Sequence, residues 1–421
     1  MLLLRLIRLC LLCVVLSTIP SCILDNPVSE VPVPSEFDYN YWLLSHWYLY
    51  NEEIKDTSFY EGKVDNLYKN LSDPYTQYIP SIKSEEIEEQ INTSVVAGDI
   101  GVELLLNVQN EYPLFIYRVY PSSPASNAEI ERYSTIISIN GIDLKGNEAY
   151  TTYQKELSTH KNILLTVKKN NVLDTFSLKK ENVLIPTIFL DTINGVLFIS
   201  IESFKPYTWD QVNGSLGEMR SILEKTKEVP LLVLDLRNNL GGHLNQCIGM
   251  ADLFVSEGIL SSRTYKQINA NGKTALFTNT SMATSGDPGE QGDFLLFVNH
   301  NTASCGEIFT AAVAENRSFT IIGEKTYGKG VGQNTWKTKD NGLAIITNMF
   351  FKTPNGLIYN KQGIQPDVVC DKVSYDCIFD YINTNTLLKA KTKNSVYYDS
   401  FLRPSSSSSF TFGGAIEYIL E

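Results

Sequence analysis

Leu231-Leu232-Val233-Leu234-Asp235-Leu236-Arg237-Asn238-Asn239-Leu240-Gly241-Gly242 is an aliphatic run that breaks into a polar turn ending in two glycines. Four apolar residues without polar alternation read as a buried strand, and the Gly-rich turn after it lets backbone N–H groups approach a ligand closely. The neighbouring segments repeat the pattern. Residues 196 to 201 and 294 to 298 read as further buried strands, with an amphipathic helix at about 209 to 228 between the first two. A helix at 307 to 315, a strand at 319 to 323 and a long strand at 343 to 351 follow. Strand and helix signals in alternation predict a sheet flanked by helices, so 183 to 421 reads as an α/β (α+β) core domain.

Upstream the texture changes. Short strand-like runs at 100 to 106, 114 to 119, 136 to 139 and 163 to 168, with the turn signal Asn140-Gly141, indicate a compact β-rich module over 94 to 182. Residues 36 to 93 carry Tyr41, Trp42, Leu44, Trp47, Tyr48, Ile87 and Ile91 at roughly helical spacing and read as a small helical domain. Residues 22 to 35 form a Pro-bearing tether, and Ser405 to Ser409 a low-complexity run. Residues 1 to 21 hold Arg5 and Arg8, an apolar run from Leu9 to Leu16 and small residues before Cys22, the layout of a signal peptide. That run is too short to span a membrane. The residues before Cys22 resemble a bacterial lipoprotein box, so lipidation of Cys22, with membrane attachment, stands beside simple secretion. Either way the mature chain is expected to be exported, to the cell envelope or periplasm.

The chain has 421 residues and a net charge of −12, more negative still once Arg5 and Arg8 are removed. Nucleic-acid binding is therefore not expected, because phosphate contacts need clustered cations. Cys10 and Cys13, the one C-x-x-C pair, fall in the signal peptide, and His46, His160, His243 and His300 are scattered. No metal site and no cofactor are expected. Cys370 and Cys377 are either a disulfide or two free thiols.

Three clusters carry chemistry, and each also has a plain structural reading. Ser304 sits where the strand 294 to 298 gives way to a helix, so it is either an N-cap or a nucleophile beside unpaired N–H groups. A G-x-S-x-G elbow fails at Thr302, and every His precedes Ser304, which excludes the α/β-hydrolase order. An Asp235-His243-Ser304 order stays open. Gly323 to Gly330 meets seven positions of a P-loop, but Gly330 stands where the Mg²⁺-binding hydroxyl belongs. Lys329 within it is either an exposed turn residue or a buried amine with lowered pKa, able to act as a base. Asp235 and Arg237 share a strand face and brace the turn after it.

Together these stretches resemble the carboxyl-terminal processing (tail-specific) serine protease family. Asp235-Leu-Arg-Asn-Asn-Leu-Gly-Gly242 is similar to its D-L-R-x-N-x-G-G motif, Thr302-Ala-Ser304-Cys-Gly-Glu307 to its [ST]-A-S-x-x-E motif, and Tyr327-Gly-Lys329-Gly-Val-Gly-Gln333 to its [FY]-G-K-G-x-x-Q motif. Lys329 follows Ser304 by 25 residues, similar to the family's spacing. Leu71-Ser-Asp73-Pro-Tyr-Thr76 resembles the turn of the helical N-terminal domain, Gly98 to Leu104, Ser123-Pro124-Ala125 and Ile136 to Gly141 resemble a PDZ domain, and Gly363-Ile-Gln-Pro366-Asp367 resembles a segment near the protease end.

The resemblance implies a serine endopeptidase core, with Ser304 as nucleophile, Lys329 as base and Gln333 holding the Lys amine. The N–H groups of Gly242 and Cys305 would form the oxyanion hole. Asp235, Arg237 and Glu307 take scaffold roles. The substrate implied is an unfolded or C-terminally accessible polypeptide, its carboxylate taken by the loop Gly98, Asp99, Ile100, Gly101 and Val102 of a PDZ-like domain. Oligomeric state stays open. Two other classes remain: a catalytically silent PDZ scaffold, and a hydrolase using Asp235 and His243. The sequence also departs from the family pattern, since Glu129 and Tyr133 stand where it has glycines, which implies a remodelled turn. Cys305 brings a thiol, open to oxidation or disulfide linkage, beside the expected active site.

Overall fold

The aliphatic run Leu232–Asp235 lies in the middle of a six-stranded sheet. The computed structural model describes residues 35–269 and 273–393. In it the strand order is Ile188–Ile193, Val196–Ile201, Leu232–Asp235, Phe294–Val298, Thr320–Gly323, Val368–Val369. The first pair is antiparallel and the later pairs are parallel. Alternate residues feed two cores. Leu232, Leu234, Phe294 and Leu296 cluster with Met219, Leu223, Met250 and Phe309 from the helices Gly214–Thr226, Leu244–Asp252 and Cys305–Arg317. Val233, Leu295, Phe297 and Ile322 cluster with Ile378 and Ile382 of the helix Tyr375–Thr384. Both faces are dry, which is why these strands read as aliphatic runs without alternation. Each buried Leu or Phe contributes about 1.5–3 kcal/mol, enough to fix the register firmly. In that register Asp235 pairs with Phe297 and Val298 with Gly323, so the polar turns after three parallel strands leave from one edge.

A second, five-stranded antiparallel sheet joins Gln77–Ile79, Leu343–Lys352, Ile259–Ile268, Thr274–Met282 and Val331–Lys337. The helix Glu36–Trp47 lies on it, and Leu44, Trp47 and Tyr48 share one cluster with Trp336, Ala344 and Ile346. The N-terminal helical segment thus draws on the sheet for its core, as a 12-residue helix with few partners must. Four of these five strands, all but Leu343–Lys352, have no counterpart in the sequence reading. Ile259–Ile268 and Thr274–Met282 pair hydroxyl to hydroxyl on an exposed face, Ser262 with Thr280 and Thr264 with Thr278, so they lack an aliphatic signal.

The β-rich module has its own core, with Ile100, Ile116, Ile136, Leu165 and Tyr153. Its entry strand Val95–Asp99 pairs antiparallel with its exit strand Glu181–Leu184, so the chain enters and leaves side by side. Asn140 and Gly141 both take positive φ (51° and 81°), as a two-residue hairpin turn requires. Arg118 docks the module on the core sheet: it pairs with Glu103 (2.7 Å) and with Asp191 (2.5 Å), its guanidinium 4.0 Å from the centre of the Phe189 ring. The architecture as a whole is mixed α/β, built of several sheets and helices.

The turn expected to be remodelled keeps the backbone that glycine is used for: Glu129 has φ 59° and Tyr133 φ 64°. Tertiary packing overrides the local preference there, with Ile130 buried between them and the Tyr133 ring 6.5 Å from Tyr117. The expected signal peptide, the tether up to residue 34 with Cys22, and Ser405 to Ser409 lie outside the described residues. A left-handed conformation costs an L-residue about 1–2 kcal/mol, partly offset on glycine substitution by extra unfolded-state entropy. Glu129→Gly, at an exposed position, is therefore expected to stabilise by roughly 0.5–1 kcal/mol, read as a higher thermal midpoint. A lower midpoint would show that the Glu129 side chain offsets its own strain.

Candidate active site

Ser304 stands between the strand Phe294–Val298 and the helix Cys305–Arg317 with φ 54° and ψ −119°. A non-glycine residue held there stores about 1–3 kcal/mol of strain, and such residues gather at working sites. Thr302 fixes the approach: its Oγ1 donates to the Leu236 carbonyl (2.8 Å), and its own carbonyl accepts from Tyr327 N–H (3.0 Å). The turn after one strand therefore grips the turns after the two others.

Glu307, fully buried on the first turn of the helix, ties the site together. Its Oε2 accepts from the N–H groups of both Ser304 (3.0 Å) and Lys329 (2.8 Å). Its Oε1 accepts from Gly328 N–H (2.7 Å) and Thr326 Oγ1 (2.6 Å). Burial pushes the carboxyl pKa up, against the pull of these four donors. The Lys329 amine is pushed down by burial, while Asp73 and Glu307 push it up, and the net shift is downward. Its Nζ lies 4.5 Å from the centre of the Tyr75 ring. Among the described residues no hydrogen bond joins Lys329 Nζ to Ser304 Oγ or to Gln333. Gln333 Nε2 donates instead to Thr347 Oγ1 (2.9 Å).

The Gly-Gly turn closes on Ser304. Gly241 has φ 106°, and a Cβ on it would stand 2.8 Å from Ser304 Cβ and 3.0 Å from Cys305 N, so only glycine allows this approach. Asn239 holds the turn through three bonds, accepting from Gly241 N–H (2.8 Å) and Ala303 N–H (2.8 Å) and donating to the Ile201 carbonyl (2.7 Å). The N–H groups of Gly242 and Cys305 have no acceptor among the described residues. Cys305 is disulfide-bonded to Cys247, and Cys370 to Cys377.

Other expected residues lie apart from this centre. Asp235 is held by Arg237, whose guanidinium also lies over Phe297 and Tyr375. His243 Nε2 meets Asn92 Oδ1 (2.9 Å). Among the described residues the Asp235-His243-Ser304 arrangement is therefore not formed, Asp235 being engaged by Arg237 and His243 by Asn92. In the β-rich module Gly101 N–H donates to Asp99 Oδ1 (2.5 Å) and Gly98 N–H to Asn182 Oδ1 (3.2 Å), so two amides expected to take a substrate carboxylate already have acceptors. Ile100 is fully buried. The sequence reading saw Asp73 to Thr76 as a turn only, and no spacing rule connects it with Lys329. It quoted Asn239, Thr302 and Thr326 within motifs but gave them no positioning role.

Residues 195–370 match the model of Peptidase family S41. A protein named a probable CtpA-like serine protease from Staphylococcus aureus is 28% identical over 332 residues, 77% of this chain and 63% of that protein. One of the same name from Staphylococcus saprophyticus is 26% identical over 334 residues, 78% and 64% of the two chains. The chain thus spans less than two thirds of the length of these curated relatives. A solved Bacteroides fragilis protein assigned to the S41 proteases shares the fold, with a TM-score of 0.53 over 87% of this chain and 98% of that one at 14% identity. Residues 195–370 are therefore similar to peptidase family S41, and the chain around them is similar to proteins named probable CtpA-like serine proteases.

Proposed function

We propose that the protein is a serine endopeptidase working through a Ser304–Lys329 dyad on unfolded or C-terminally accessible polypeptides. The observation that carries this reading is the Glu307 carboxylate, which receives the N–H of the nucleophile and the N–H of the base on one oxygen. Ser304 Oγ attacks the scissile carbonyl carbon while its proton passes to neutral Lys329 Nζ. The carbonyl oxygen becomes an oxyanion facing the free N–H groups of Gly242 and Cys305, each such donor worth about 3–4 kcal/mol in the transition state. The Lys329 ammonium then returns the proton to the leaving amine, and water, activated by the same Lys, releases the acyl group. The dyad's own hydrogen bond forms when substrate excludes water, as in other free enzymes whose catalytic contacts tighten on binding. Gln333 supports the base from the strand beside it rather than by direct contact.

The β-rich module acts, in this reading, as a PDZ-like gate. With Gly98 and Gly101 N–H groups already engaged, its capture of a terminal carboxylate is weak, and docking through Arg118 and Asp191 is the stronger coupling to the core. Export, with or without a lipid on Cys22, accords with two disulfides, which persist in oxidising compartments.

Three measurements check these assignments. Ser304→Ala and Lys329→Ala are each expected to abolish cleavage of casein while the fold remains, and His243→Ala to retain most activity; equal loss in His243→Ala would return the assignment to a His-based triad. Because burial lowers the Lys329 pKa, the fraction of neutral amine rises through a midpoint below the ordinary value of about 10.4. The expected kcat/KM increases from about pH 6 toward about pH 9, and a flat profile there counts against a Lys base. Peptides with free and amidated C-termini are expected to be cleaved at similar rates, within about three-fold. A large preference for the free carboxylate would mean that Asp99 and Asn182 yield their amides to substrate.

A further inference from the structure

The turn Asp73–Thr76 lies outside the matched domain, yet it packs on the site. It is clamped from beneath: Thr76 Oγ1 donates to Asp73 Oδ2 (2.6 Å) and accepts from Thr347 N–H (3.0 Å), and Thr347 Oγ1 takes the hydrogen bond from Gln333. Asp73, Thr76 and Thr347 are all buried. This clamp presents the Tyr75 ring to Lys329 Nζ at 4.5 Å, and the Tyr75 hydroxyl meets that of Tyr327 at 3.5 Å across 252 residues of sequence.

We propose that Tyr75 is a positioning residue for the general base: its ring holds the Lys329 amine in place and receives the charge that the amine gains on taking the Ser304 proton. The proposal rests on the Ser–Lys reading. A ring suits this task better than a carboxylate or water. A carboxylate in contact would keep the amine protonated, and water would compete for its lone pair. An aromatic face attracts an ammonium through its quadrupole while offering no strong acceptor to trap the proton. Other titratable groups around Lys329 are Asp73 on the same turn, Glu307 on the helix and Tyr327 on its own loop. Asp73 is engaged with Thr76, Glu307 with four donors, and Tyr327 with Tyr75.

The test compares Tyr75→Leu, Tyr75→Phe and Lys329→Ala in the full chain by steady-state peptide hydrolysis against pH, with thermal midpoints as a folding control. In Tyr75→Leu the amine keeps an apolar cover but loses the quadrupole. The plateau kcat is expected to fall about ten-fold, equivalent to about 1.4 kcal/mol, with KM within about two-fold. The rising limb should move to lower pH, because the ammonium is less stabilised. Tyr75→Phe keeps the ring and should retain the limb and a plateau within about three-fold of the parent. Should Tyr75→Leu not fold, Tyr75→Met supplies the same comparison. Equal profiles for the Leu and Phe variants, or a loss confined to KM, overturn the proposal. Phe falling as far as Leu also overturns it, by assigning the effect to the hydroxyl pair. If Lys329→Ala retains proteolysis, the dyad itself is wrong. If Lys329→Ala is inactive and Tyr75→Leu matches the parent, the positioning role alone fails.

Discussion

A single buried carboxylate sets the geometry of this site. Sheet register brings the ends of three parallel strands to one edge, but register alone does not fix the turns that follow, and the chemistry needs them closely placed. Glu307 removes that slack by accepting from Ser304, Thr326, Gly328 and Lys329 together. Hydrogen bonds to an ionised group contribute about 1.5–3 kcal/mol each, and without the acceptor several buried N–H groups would be orphaned at similar cost. The arrangement stabilises in both directions. The donors make a buried charge tolerable, and the charge makes the strained backbone at Ser304 tolerable.

What the sequence disclosed follows from the same physics. Strands buried on both faces must be aliphatic throughout, so Leu232–Asp235 and Phe294–Val298 stood out. The turns that leave them carry residues whose type is dictated by close approach, Gly241 against Ser304 above all, so they were recognisable as motifs. Partner choice across long separations was not legible. Nothing local says that Cys305 meets Cys247, that Trp47 packs on Trp336, or that Tyr75 faces Lys329. Glu129 and Tyr133 show the opposite failure: a sound local rule predicted a different turn, yet both residues take the positive φ that glycine favours.

The Cys247–Cys305 bond joins the two elements that supply the proposed oxyanion donors. Gly242 lies just before the helix that carries Cys247, and the other donor is the amide of Cys305 itself. Closing a loop of 58 residues removes unfolded-state entropy equivalent to about 4 kcal/mol. The cross-link also limits how far the two amides can drift apart, so it acts on global stability and on the local shape of the hole at once.

The site is drawn from residues as far apart as Asp73 and Thr347, and the sheet edge beneath it is finished only by Val368–Val369. While synthesis is under way the early turn has been made, but the strand that clamps it and the loop it faces have not. A chain cut short of Thr347 lacks the residue that bonds both Thr76 and Gln333. On the Ser304–Lys329 reading, a growing polypeptide therefore carries an incomplete site until that strand has been made.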